Sequence, residues 1–295
     1  MKAGRFREAA IRGFFLANAG LAVLVLAGIF LLLLFTAFPA FREIRIGEFL
    51  TGKSWDPTSP EKAEYGILSM IASTLLVTAG GALVIAVPVG LGVAAYLSDV
   101  ANGRVREIVK PVVEILAGIP SVVVGFLGIV LVGPAIAKVF HIGHGLTALN
   151  GSFLLAIMAL PTIISISEDA LSAVPSAYSE ASLALGASRW QTLVRVKGPA
   201  ALSGIMAAVM LGMGRAIGET MTVLMATGNA RAFPTGLLTS LRTMTSGIAI
   251  ELGEVPYFTT HYYALFAIGL VLFLMTFAVN LVADVFLRRF QERER

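Results

Sequence analysis

The chain of 295 residues contains no cysteine, and only 14% of its residues are Asp, Glu, Lys or Arg. Without cysteine there is no disulfide, no thiolate nucleophile and no thiolate metal site. So little charge excludes an ordinary soluble globule, which carries about 25% charged residues to cover its surface. A net charge of +4 is too small to point to nucleic acid. The three histidines, His141, His144 and His261, fall in or near the connections between apolar runs. They lack carboxylates at metal-ligand spacing and are expected at the surface. No apolar run carries an HExxH, a Ser/His pair or paired carboxylates, which removes the intramembrane enzyme. No internal repeat is visible, which argues against a self-sufficient channel or secondary transporter.

What the chain has is apolar length. It is 57% hydrophobic with a mean hydropathy of +0.86, and crossing a bilayer takes roughly 20 apolar residues in a helix. Six spans are expected at 14–38, 67–97, 112–137, 152–167, 200–227 and 262–287. The basic start MKAGRFREAAIRG resembles a signal peptide for a few residues only. The apolar run behind it is about twice the usual length and has no small-residue cleavage site, so an uncleaved first span is expected. Residues 39–66, with Pro39, Pro57, Pro60 and mixed charges, read as a water-exposed excursion. Pro88, Pro120 and Pro161 fall inside spans two to four, where proline either kinks helices around a cavity or only shapes their packing.

Basic residues set the orientation. Lys2, Arg5, Arg7, Arg12, Arg104, Arg106, Lys110, Arg189, Arg195, Lys197, Arg288, Arg289, Arg293 and Arg295 fall on one side. Arg42, Arg45, Lys53, Lys62, Arg231 and Arg242 fall on the other. Both termini are therefore expected in the cytoplasm, which agrees with an even number of spans. Gly80/Gly81, Gly90/Gly92 and the GxxxG pair Gly214/Gly218 allow close helix packing. The division expected is 1–66, a first span and outer segment; 67–287, a core with a cytoplasmic loop at 168–198; and 288–295, a cytoplasmic tail.

Gly47 to Ser54, GEFLTGKS, matches the phosphate-cradling G-x-x-x-x-G-K-[ST] letter for letter. That motif needs a strand before it and a helix after it. Pro57 and Pro60 argue against the helix, and the topology puts the segment away from ATP. The chain is not expected to hydrolyse ATP.

Within the loop, Ser172 and Pro175 can start a short helix that Gly186 ends. Ser188 and Gln191 have capping-box spacing for a second one running through Val196, and Pro199 opens span five. Trp190 beside basic residues fits either a docking surface or an interfacial aromatic. Arg215 and Glu219, near the middle of span five, are expected on one helix face about 6 Å apart along the axis. An arginine at that depth costs at least ~2.5–3.5 kcal/mol on insertion scales and calls for a reason. Either the pair neutralises itself and locks two bundles, or Arg215 meets a translocating anion while Glu219 orients it. Thr220, Thr222, Ser121, Thr162, Ser165 and Ser167 could add hydroxyl donors, though each alone more often bonds its own helix backbone. Glu114 and Asp284, near span ends, receive no role.

Glu180-Ala181-Ser182, three residues, Gly186, nine residues, then Val196-Lys197-Gly198-Pro199 resembles the EAA-x3-G-x9-I-x-L-P signature of ABC importer permeases. Ser182, Val196 and Gly198 depart from it while the Glu, Gly and Pro spacing is kept. The stretches IPSVV at 119–123, LPTI at 160–163 and GRAIGETM at 214–221 resemble the permeases of phosphate-specific importers. FLTGKSWDP and MATGN at 225–229 favour the PstC type over its sister permease. The resemblance runs from about Phe49 to the end. It implies an all-α, six-span, MetI-like bundle in the bacterial inner membrane, moving phosphate inward by alternating access. It also implies a coupling helix in which Glu180, Ala181 and Gly186, with Ala187, Arg189 and Trp190 of the same knob, contact a separate ATPase. The expected partners are a sister permease, two cytoplasmic ATPase subunits, a periplasmic phosphate-binding protein and membrane lipid. Residues 39–66, 141–151 and 228–261 are the expected dock for the binding protein. ATP and Mg²⁺ would sit on the ATPase, with no cofactor on this chain. Another oxyanion, such as sulfate or molybdate, would suit Arg215 equally well.

Overall fold

The computed structural model describes residues 2–293, without the side chains of residues 2–7, 9–10, 283 and 286–293. The expectations resting on Lys2, Arg5, Arg7, Arg288, Arg289, Arg293, Arg295 and the 288–295 tail lie outside the described side chains.

The helices run α1 Lys2–Ala37, α2 Ala40–Glu43, α3 Ile46–Thr51, α4 Leu68–Asp99, α5 Gly103–Ala117, α6 Ser121–Phe140 and α7 Ala148–Ser172. They continue as α8 Ser176–Ala184, α9 Arg189–Ala200, α10 Leu202–Gly218, α11 Met221–Ala226, α12 Met244–Glu251 and α13 Thr260–Arg293. A two-residue antiparallel ladder, β1 Trp55–Asp56 with β2 Glu64–Tyr65, is the strand pairing among the described residues. Five helices are long and apolar enough to cross a membrane, and α9 with α10 makes a sixth crossing bent by 74°.

The bundle is built around α7. Fifteen of its 25 residues are buried, and its buried share is the largest of the five long crossing helices described. Glycines let those neighbours close in: a Cβ on Gly90 of α4 or Gly212 of α10 would stand 2.7 or 2.8 Å from Ile163. Gly81 is pressed against Ser152 in the same way. Backbone-to-side-chain contact of this kind replaces the hydrophobic effect, which drives little association where lipid is equally apolar. By contrast, Gly92, Gly214 and Gly218 meet nothing within 4 Å, so the GxxxG pair is not spent inside this chain. Helix α1 lies outside the bundle, with 6% of its apolar stretch buried, and leans on α13 through Phe30 against Phe273 (5.6 Å).

Several expectations need correction. Span three is not one helix from 112 to 137. Residues 112–117 finish the amphipathic α5, the chain turns at 118–120, and the crossing helix starts at Ser121. Pro120 stands just before that start, its ring fixing φ at −60 (ψ 136), instead of kinking a helix interior. Pro88 and Pro161 do sit inside helices. Ser172 starts nothing: it is the last residue of α7, its hydroxyl bonds to Glu168 (3.0 Å), and Pro175 precedes α8. Span five stops at Gly218 and resumes at Met221.

The GEFLTGKS match is structural. Its helix α3 comes before the glycine turn and a strand follows, the reverse of a phosphate loop. Gly52 packs on Gly66 with no room for a Cβ on either, and Leu68 N donates to Gly52 O (2.9 Å). The glycine closes residues 39–66 onto the start of α4.

Candidate functional site

Two interruptions of the helical backbone meet beside α7. One is the turn at 118–120 between α5 and α6, the other the break at 218–220 between α10 and α11. Gly118 and Gly218 stand at these points because glycine gives up the most entropy in a helix. Local side chains then hold the second break open. Glu219 is extended (φ −70, ψ 130), and its carboxylate accepts from Thr222 N at 3.4 Å. The Thr222 hydroxyl donates across the junction to the Ser121 carbonyl (3.0 Å) and lies 3.1 Å from Met158 Sδ of α7. Thr245 of α12 donates to the Glu219 carbonyl (3.0 Å). Each bond offers the chain a partner in place of the helix ladder.

Arg215 and Glu219 are consequently not an i, i+4 pair on one helix. Among the described residues no salt bridge joins them. Arg215 is exposed, and its Nη2 reaches the Ala117 carbonyl at 3.5 Å across the two interruptions. Leu211, Arg215 and Gly218 form an exposed stripe of α10, while Gly212, Ala216 and Ile217 are buried. The arginine therefore faces away from its own bundle.

The remaining candidates divide. Thr222 is fully buried and its hydroxyl is committed to Ser121 O, so it fastens the junction. Thr220 bonds its own Gly218 carbonyl at 3.4 Å. Ser121 contributes its backbone oxygen. Thr162 stands half-buried on α7, one turn beyond Met158 on the same face, with no described hydrogen bond to the others. Ser167 is buried with an unpartnered hydroxyl. Sequence reading missed that the interruptions coincide. The signal was present as Gly118/Pro120 and Gly218 inside long apolar runs, the pattern expected of discontinuous membrane helices at a binding site.

At one end of the bundle α8 and α9 form a knob. Gly186 takes φ +85 to end α8, which a side chain would resist, and Ala187 N closes back on Ser182 O (3.2 Å). Ser188 and Gln191 form the expected capping box. The Ser182 hydroxyl meets Thr192 Oγ1 at 2.9 Å and ties the two helices together; this is the position where the signature carries alanine. Glu180, Ala181, Gly186, Arg189 and Trp190 are exposed and Ala187 is half-buried. Leu185 is 91% and Trp190 70% exposed, beside an open groove of about 390 Å³ lined by Tyr178, Ala181, Ser182, Leu185, Ala187 and Val196.

One ion pair fastens the knob to the bundle, and others at the same end tie α5 to α7. Lys197 Nζ meets Asp99 Oδ1 at the end of α4 (2.6 Å). Glu168, buried on α7, is bound by Arg106 and by Lys110 (2.8 Å) of α5, and Lys110 also reaches Asp169 (2.9 Å). The two hydrogen-bonded carboxylates, Glu168 first and Asp169 second, hold the Lys110 ammonium above its usual range.

At the opposite end residues 55–65, 231–251 and the start of α13 gather. His261, expected at the surface, is half-buried with Nε2 2.8 Å from Glu251 Oε2, because α13 begins at Thr260 and its first turn packs on α12. His141 and His144 are exposed as expected. Glu251 also accepts from Trp55 Nε1 (2.9 Å) and Arg242 Nη1 (2.7 Å). Burial alone would raise its pKa, but the His261 and Trp55 bonds and the Arg242 charge outweigh burial and hold it below the usual carboxylate range. Nothing in the sequence marked Glu251, an acidic residue closing the eight-residue helix α12.

The family described as binding-protein-dependent transport system inner membrane component matches residues 86–295. Relatives include the probable ABC transporter permease protein YqgH of Bacillus subtilis, 41% identical over 78% of this chain and 74% of that one. The phosphate transport system permease protein PstC of Mesorhizobium japonicum is 34% identical over 97% of this chain and 95% of its own length. A chain of the MetNI methionine ABC transporter in an inward-facing conformation superposes with a TM-score of 0.60 at 20% identity, over 76% of this chain and 95% of that one. A chain of a bacterial alginate ABC transporter gives 0.62 at 15% identity, over 87% of both. Likeness at these identities speaks to the fold, whereas the family match and the PstC-type relatives speak to descent. The chain belongs to the inner-membrane permease family of binding-protein-dependent ABC transport systems.

Proposed function

We propose that the chain is one permease subunit of an ATP-driven importer that carries inorganic phosphate into the cytoplasm by alternating access. The observation that carries this reading is the exposed guanidinium of Arg215 at the junction of two helix interruptions. A guanidinium stays charged and offers forked donors matched to phosphate oxygens. Intramembrane charge retained against its insertion cost marks a substrate path. The similarity to PstC along 97% of the chain supports phosphate as the anion.

In this reading the exposed stripe Leu211, Arg215, Gly218 faces a sister permease, and the path runs between the two bundles. Glu219 keeps the junction from holding the anion too tightly, since a carrier must release its cargo. The knob at 176–197 fits a groove on a separate ATPase subunit, with Trp190 and Leu185 as its apolar contacts and Glu180, Ala181, Gly186, Ala187 and Arg189 around them. Lys197 and Asp99 pass the movement of the knob to α4. ATP and Mg²⁺ belong to the ATPase subunits, and this chain carries no ATPase site of its own. Both termini lie in the cytoplasm, and a periplasmic phosphate-binding protein docks at the end holding Trp55 and Glu251.

The test is phosphate uptake by the reconstituted complex, wild type against Arg215→Gln. Uptake is expected to fall about 100-fold, in line with a lost charge-assisted contact of roughly 3 kcal/mol, while assembly and basal ATP hydrolysis persist. Normal uptake by the variant would make Arg215 a structural residue. Competition by sulfate or molybdate against phosphate in the same assay separates the oxyanions.

A further inference from the structure

The end opposite the knob holds a carboxylate with four partners that the transport reading has not used. Glu251, 6% exposed, closes α12. One oxygen accepts from Trp55 (2.9 Å) and lies 2.8 Å from His261; the other accepts from Arg242 (2.7 Å) and Arg231 (3.5 Å). Trp55 belongs to β1, Arg231 and Arg242 to the stretch between α11 and α12, and His261 to the first turn of α13. Arg231 also grips Asp56 (3.1 Å). Three stretches distant in sequence are thus joined at one buried atom pair. Such a hub keeps its charge only while the partners stay in place.

The other end of α12 is tied to the junction. Met244 N donates to Thr74 Oγ1 of α4 (3.1 Å), and Thr245 donates to the Glu219 carbonyl (3.0 Å). Six residues separate Thr245 from Glu251, about 9 Å of helix. With Met244, Thr245, Ser246, Gly247 and Glu251 all buried, α12 is a short rod with one end on the break and the other on the hub.

We infer that Glu251 is a positioning residue of the transport cycle, pinning α12 so that the junction at Glu219 stays closed toward the end opposite the knob. The inference rests on the transport reading above. The stretches carrying Trp55, Arg231 and Arg242 form the surface of that end, so a protein docking there can displace them. Displacement loosens the grip on Glu251, frees α12 and releases the Glu219 carbonyl. Opening at the outer surface is thereby linked to the break where the anion passes, without any contact between Glu251 and the anion.

The absence of cysteine supplies a clean probe. Met221→Cys places one thiol at the start of α11, where Met221 is 39% exposed. The full complex, in membrane vesicles of known orientation, is treated with a membrane-impermeant maleimide, and labelling of this chain is read after the subunits are separated. Glu251→Gln is expected to speed labelling from the end opposite the knob about tenfold or more, the weight of a charge-assisted hydrogen bond in an equilibrium constant. Glu251→Asp, which keeps the charge, is expected to recover part of the protection. Labelling from the knob side is expected to stay unchanged. Wild-type rates in an assembled Glu251→Gln complex overturn the inference, and so does an equal rise from both sides, which means a loosened bundle. If Glu251→Gln does not assemble, Trp55→Phe, which removes the indole N–H donor to Glu251 together with part of the ring, decides the matter by the same criterion, an equal rise from both sides again meaning a loosened bundle. Labelling needs no substrate, so a complex that fails to carry phosphate yet shows the one-sided rise sinks the phosphate reading and keeps this one.

Discussion

The chain has two tryptophans, and the two ends of the molecule treat them oppositely. Trp55 is 1% exposed, stacked edge-on against Tyr65 and His261 and bonded to Glu251. Trp190 is 70% exposed, and no hydrogen bond to its side chain is described. Around Trp55 a core of Phe49, Ile67, Met70, Met244 and Leu265 is closed within this chain. Around Trp190 the side chains of Leu185 and Val194 are exposed, and the tie to the bundle is the small cluster of Leu193 with Ala94 and Leu171 together with the Lys197–Asp99 ion pair. The difference is one of completeness. One end buries its tryptophan in a core of its own, and the other leaves its tryptophan in the open.

Exchanging the fates of the tryptophans is the strongest way to break this comparison. Trp55→Ala should cost the folded chain about 3–5 kcal/mol, since it opens a cavity and leaves Glu251 one donor short. Thermal unfolding of the purified complex measures it, and ATPase binding should change little while the protein is folded. Trp190→Ala should leave unfolding within about 0.5 kcal/mol of wild type, as exposed substitutions do. It should instead weaken ATPase co-purification and uptake by roughly 30-fold or more, the scale of an aromatic contact of about 2 kcal/mol. Loss of thermal stability in Trp190→Ala with binding intact would erase the distinction between the ends.

The sequence made this division half legible. Gly186, the Ser188–Gln191 capping box and the exposed Trp190 could be read directly, because caps and turns are local chemistry. The long apolar runs likewise gave the crossing helices, since bilayer thickness sets their length. What escaped was decided at a distance. The break at 218–220 looks like continuous helix until Thr222 finds Ser121 O, a partner 101 residues away. Glu251 and Trp55 meet across 196 residues, and His261 joins them from the first turn of α13. The shared helix face expected of Arg215 and Glu219 depended on a ladder that the fold does not continue beyond Gly218.

The smallest effect expected is also the sharpest on the comparison, because the two ends should weaken at opposite extremes of pH. Glu251 titrates below the usual carboxylate range in the folded chain, so unfolding raises its proton affinity. Its contribution is complete above the unfolded carboxylate value and is lost as pH falls through the folded one. Lys110 titrates above its usual range because Glu168 and Asp169 accept its protons. Its contribution is complete below the unfolded lysine value and is lost as pH rises through the folded one. Melting temperatures of the solubilised complex should therefore drop less steeply on the acid side in Glu251→Gln than in wild type, with the alkaline side unchanged. Lys110→Met should flatten the alkaline side alone, and by less, because this ammonium is a third exposed and water screens it. Parallel acid and alkaline profiles in both variants would mean that the ends unfold as one unit, so that the closed end and the unfinished end are not energetically separate.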